Sequence, residues 1–89
     1  MARDPVERLS QHQLALELRT AIDTAIRDEG LTRSLDGAER RAAKARLTTD
    51  YMRIVALVVT HPIGLHSKHV EHNLGVGRLR WLHQFQIRD

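Results

Sequence analysis

Arg78, Arg80, His83 and Gln84 lie within seven consecutive positions near the C-terminal end of an 89-residue chain, and Lys68 lies shortly upstream. An arginine fork can hold a phosphate, or the O6 and N7 edge of guanine, through two parallel hydrogen bonds. A glutamine can read adenine in the same two-point way. A lysine at the first turn of a helix, where backbone N–H groups also point outward, suits a phosphate. A cationic helix carrying Arg78, Arg80 and His83 after a glycine corner is the layout by which a small domain presents one helix to the major groove of DNA. Both arginines could equally be solvated helix residues. Trp81, set among aliphatic residues, is expected to anchor a core or a subunit interface.

His66, His69 and His72 recur at three-residue steps. On a helix that spacing fans the three rings by about 60° per step, which suits shared metal ligation poorly. Zinc also needs further ligands, and the HExxH spacing of metalloproteases is missing. No metal site is expected. Catalysis has no better footing: there is no glycine-rich phosphate loop, no nucleophile with a placed base, and no carboxylate pair other than Asp28-Glu29. The chain is read as a non-enzyme without a cofactor.

Charge is divided unevenly. Residues 1–45 carry eight basic and eight acidic side chains, whereas residues 46–89 carry six basic and three acidic ones, which accounts for the net charge of +3. A neutral half joined to a cationic half fits an association element followed by an element that meets a polyanion. Cysteine is absent, so disulfides and thiolate metal sites are excluded. The start of the chain is charged and lacks the apolar segment of a signal peptide. The longest apolar run, Ile54 to Val59, is far short of the ~20 residues that span a bilayer. A soluble cytoplasmic protein with no membrane partner is expected.

The elements that must position these residues are helical. Tyr51, Trp81 and Phe85 are the only aromatics, so the core must be mostly aliphatic. A first helix is predicted from about Asp4, with Pro5 at its first position, to Glu29, with Gly30 as its left-handed stop. Leu14, Leu18, Ala21, Ile22 and Ala25 recur at helical spacing, and Leu9, Leu16 and Ile26 widen that stripe beyond what one neighbour would cover. This surplus marks Leu14, Leu18 and Ile22, with Trp81, as an expected oligomer interface. A second helix, capped by Ser34 or Asp36, is predicted over Gly37–Thr60. It is read as continuous, with a break at Thr48-Thr49-Asp50 as the alternative. Pro62 must stop it. A short helix from about Ser67 should face Val70 and Leu74 inward. Gly75 and Gly77 should make a corner plugged by Val76, and a last helix should bury Leu79, Leu82, Trp81 or Phe85.

The phrases IVALVVTHP, GLHSKHVEHN, LGVG and RLRWLHQF over Tyr51 to Phe85 resemble the helix-turn-helix core of winged-helix DNA-binding regulators. The resemblance covers roughly 35 of the 89 residues. It implies that Arg78, Arg80, His83 and Gln84 meet base edges and adjacent phosphates, and that Lys68 meets phosphate. Three positions depart from the pattern. Glu71 stands where a small residue packs against the recognition helix, Gly77 stands where a Ser or Thr caps it, and four residues after Phe85 leave a wingless unit.

The expected fold is one all-α domain over 1–89 with four to five helices. Residues 1–47 form oligomerisation helices and 48–89 the helix-turn-helix-like unit. The expected function is a homodimeric, sequence-specific binder of double-stranded DNA that regulates transcription. The alternative is an all-helical interaction module, an adaptor or inhibitor, that grips an acidic protein partner.

Overall fold

The computed structural model describes residues 9–62 and 64–87, so the expected start at Asp4-Pro5 lies outside the described residues. All regular structure among them is helical: α1 (Gln11–Ser34), α2 (Gly37–Thr60), a single 3-10 turn (Gly64–His66) and α3 (Lys68–Ile87). No helix among them is long and apolar enough to cross a membrane. Three α-helices thus stand where four to five were expected. The connector after Pro62 holds only the 3-10 turn, and the two expected C-terminal helices run on as one element with a single non-helical residue, Gly75.

Leu9 and Ser10 are not helical, and α1 opens with a capping box at Ser10. The Gln13 backbone N–H donates to Ser10 Oγ at 3.1 Å, and the Ser10 N–H donates to Gln13 Oε1 at 3.0 Å. The expected stop at Gly30 is overturned, because α1 runs through it to Ser34. Asp28 and Glu29 are therefore not acids at a helix end. Asp28 is buried against α2, and Glu29 accepts hydrogen bonds from Tyr51 of α2 and Trp81 of α3. These tertiary partners hold the helix past its glycine, whose intrinsic cost is only about 1 kcal/mol.

Asp36 is the N-cap of α2, though its side chain makes no capping hydrogen bond. The helix is unbroken through Thr48-Thr49-Asp50. The Thr48 and Thr49 hydroxyls donate to the carbonyls of Lys44 and Ala45, so the polar side chains bond along the helix instead of breaking it. It ends where the pre-proline residue His61 leaves the helical region. In the 3-10 turn that follows, Gly64 lies so close to α1 that a Cβ there would fall 2.8 Å from Leu14 Cδ2.

α1 is the central element. It packs against both α2 and α3, which touch each other less. Leu14, Ala15, Leu18, Ala21, Ile22 and Ala25 meet Ile54 and Leu57 of α2 and Val70, Leu74 and Leu82 of α3. The centre of the stripe is thereby covered by two neighbours of the same chain, whereas Leu16 and Ile26, which widen it, stay 48% and 40% exposed. Leu14, Leu18 and Ile22 are fully buried in this core. They lie inside the core of this chain and not on the surface where an oligomer interface was expected.

Candidate interaction surfaces on α2 and α3

α3 starts beside Ser67, about where a short helix was expected, and Ser67 caps it. Ser67 Oγ accepts from the backbone N–H groups of His69, at 3.2 Å, and Val70, at 3.5 Å, and its own hydroxyl donates to Gln11. Lys68 is exposed beside it, at a helix N-terminus whose free donors are partly taken by that serine. His66, His69 and His72 are also exposed, and no group of three or more potential metal-ligating side chains converges among the described residues.

The break in α3 is made by Gly75 alone, with φ 81° and ψ 167°. Only glycine populates this region without substantial strain. The expected corner was longer. Gly77 lies in helical backbone, and Val76 is 73% exposed instead of plugging a junction. A helix-turn-helix joins its helices by three to four residues, and one residue is a kink.

Arg78 is paired within the chain. Its guanidinium forks onto Asp23 of α1, Nε to Oδ1 at 2.7 Å and Nη2 to Oδ2 at 2.9 Å, and Nη1 donates to the Leu74 carbonyl at 3.0 Å. The hydrogen bond from Arg78 holds the Asp23 carboxyl below its ordinary range against a smaller opposing effect of burial. The same pairing raises Arg78. This arginine fastens α3 to α1 across the kink. Arg80, His83 and Gln84 remain exposed at positions i, i+3 and i+4 of the helix after Gly75. Trp81 is half-buried, stacks on Phe85 with centroids 5.3 Å apart, and donates from Nε1 to Glu29 at 3.0 Å. With Tyr51 these rings form an aromatic cluster in which the three helices meet.

A different surface, missed in the sequence, runs along α2. Its inner side sends Ala43, Ile54 and Leu57 into the protein. On the opposite side Ala38, Ala42, Ala45, Thr49, Met52, Ala56 and Val59 are all exposed. Their spacing alternates four and three over the whole helix, the period of a seam that receives another helix. Met52 and Val59 are 68% and 70% exposed, and Val55 at the flank is 42% exposed. Val55, Val58, Val59 and Phe85 line a groove of about 170 Å³ at its C-terminal end. None of the seven ridge residues is charged. The alanines dilute the signal, because a stripe of small residues does not read as apolar beside the strong inward one.

The flanks of this ridge are basic. Arg41 and Lys44 border it and, like Arg40, are exposed without an ion-pair partner among the described residues. Arg46 and Arg53 border the other side, paired to Asp28 and Glu17 of α1. Glu39 is the sole acid among the exposed flanking residues. No protein-family model, curated protein or solved structure matches the chain.

Proposed function

We propose that this chain is a helical interaction module whose outer α2 face receives an acidic amphipathic helix of a protein partner. The observation that carries this reading is the uncharged ridge from Ala38 to Val59, exposed along a whole helix and opposite its core-facing side. Alanines along the first half let a second helix approach closely, and Met52, Val55 and Val59 supply the apolar contact further along. Fully burying side chains of that size is worth about 1.5–3 kcal/mol each, before the cost of association. That magnitude supports a transient complex more readily than a permanent subunit contact.

Charge selects the occupant. Arg41 and Lys44 on one flank, which have no acidic partner among the described residues, would meet like charges if a second copy docked here, which opposes a homodimer through this face. An apolar seam edged with glutamates or aspartates would meet its complement.

DNA binding is the second reading, favoured by Arg80, His83 and Gln84 on one exposed stretch of α3 with Lys68 upstream. It has lost Arg78 to Asp23, and the two remaining side chains with full charge supply little affinity by phosphate neutralisation.

A labelled acidic heptad peptide with leucines at its seam and glutamates beside it should raise its fluorescence anisotropy with the chain at low salt, and release as salt rises. A duplex at ~50 mM salt should give no comparable binding. Duplex binding that weakens with Arg80→Ala, alongside an inert peptide, would transfer the function to α3. Sedimentation as a dimer that dissociates on Met52→Gln would assign the ridge to a second copy instead.

A further inference from the structure

We propose that Asp28 of α1 and Asp50 of α2 form a proton-sensitive clasp, closed when the two carboxyls share one proton and loosened when both are ionised. Asp28 is the one buried charged residue among those described, with 1% of its surface exposed. Both of its carboxylate oxygens, and Oδ2 of Asp50, are buried without a hydrogen-bond partner when the pair is ionised. Unpaired buried acceptors of this kind are costly. Arg46 Nε stands 3.5 Å from Asp28 Oδ1 and Arg27 Nε 4.0 Å from it, close enough to offset charge without satisfying the oxygens. A proton on Asp50, directed at Asp28, supplies the missing donor and removes the repulsion between like charges.

The electrostatics agree with this placement. Burial, and then the facing Asp28 carboxylate, push Asp50 up to about 6. Asp28 is held below the ordinary carboxylate value, first by the hydrogen bond from Asp50 and then by Arg46 and Arg27, against its own burial. The charges acting on Asp50 are therefore Asp28 and Arg27 from α1 and Arg46 from its own helix. Glu17 and Arg53, paired with each other, line the cleft of about 360 Å³ that Asp50 also borders.

The sign of the linkage follows from the raised group. A folded chain that binds a proton more tightly than an unfolded one gains stability as pH falls through about 6 towards 3.8, and loses it as pH rises through the same window. The gap between those two values corresponds to at most ~160-fold in the folding equilibrium. Asp28 and Asp23, both lowered, work in the opposite direction and only at more acidic pH. Stability should therefore peak at mildly acidic pH.

Denaturant unfolding of the full chain between about pH 8 and about pH 5 tests the clasp. The unfolding equilibrium constant of the wild type should fall by about tenfold on acidification. Asp50→Asn, which presents a permanent donor, should be more stable than wild type at the alkaline end and should lose most of that slope. Parallel pH slopes in the two proteins would overturn the proposal. Infrared spectra of the wild type provide a test that does not depend on the variant folding. A carboxylic-acid carbonyl band should vanish with a midpoint near pH 6, and its absence there would also overturn the clasp.

Discussion

At the scale of single residues, side-chain partners decide which groups are free to act. Arg78 had the type and position of a recognition residue, yet its fork is filled by Asp23 on another helix. No property of the local sequence announces that pairing, because the two residues are 55 positions apart. The same holds for Glu29, which serves both Tyr51 and Trp81. Ser67 was legible, since a serine before a helical run caps it through its own backbone neighbours. Arg78→Ala should destabilise the fold by about 1 kcal/mol, a value set by partial exposure and solvent screening. Asp23→Ala should have a similar effect, and a double-mutant cycle should show the two losses coupled. Denaturant melts read these changes. Additive losses would show that the bidentate pair does not fasten α3 to α1.

Among the elements, the strong periodicities were readable and the surplus ones were not. The continuity of α2, its stop before Pro62 and the glycine break at position 75 follow from spacing, proline sterics and backbone freedom. The extent of α1 beyond Gly30 did not, because the tertiary hydrogen bonds that Glu29 accepts from Tyr51 and Trp81 outweigh a local stop signal. The apolar stripe of α1 was readable as a surface needing cover; α2 and α3 of the same chain cover its centre, and Leu16 and Ile26 at its margins stay exposed. At the kink the two glycines separate cleanly. Gly75→Ala should cost about 1–3 kcal/mol, since its backbone region is essentially closed to other residues. Gly77→Ala, in helical backbone with nothing within 4 Å of an added Cβ, should stabilise by about 0.5–1 kcal/mol. Thermal melts of the two variants should move in opposite directions, and equal shifts would contradict a one-residue kink.

For the molecule as a whole, α1 packs between the other two helices, α3 is fastened to it by the Arg78–Asp23 ion pair and the Trp81–Glu29 hydrogen bond, and α2 keeps a second, uncharged face open to solvent. That face was present in the sequence as a run of three- and four-residue steps, hidden by small side chains and by the stronger stripe opposite. The central claim is that this ridge is a docking surface for an acidic helix, and anisotropy with the acidic heptad peptide tests it most directly. Met52→Gln together with Val59→Gln should weaken peptide binding by at least about tenfold, while the melting temperature stays close to that of the wild type because both side chains are exposed. Peptide affinity unchanged in that folded double variant would contradict the account.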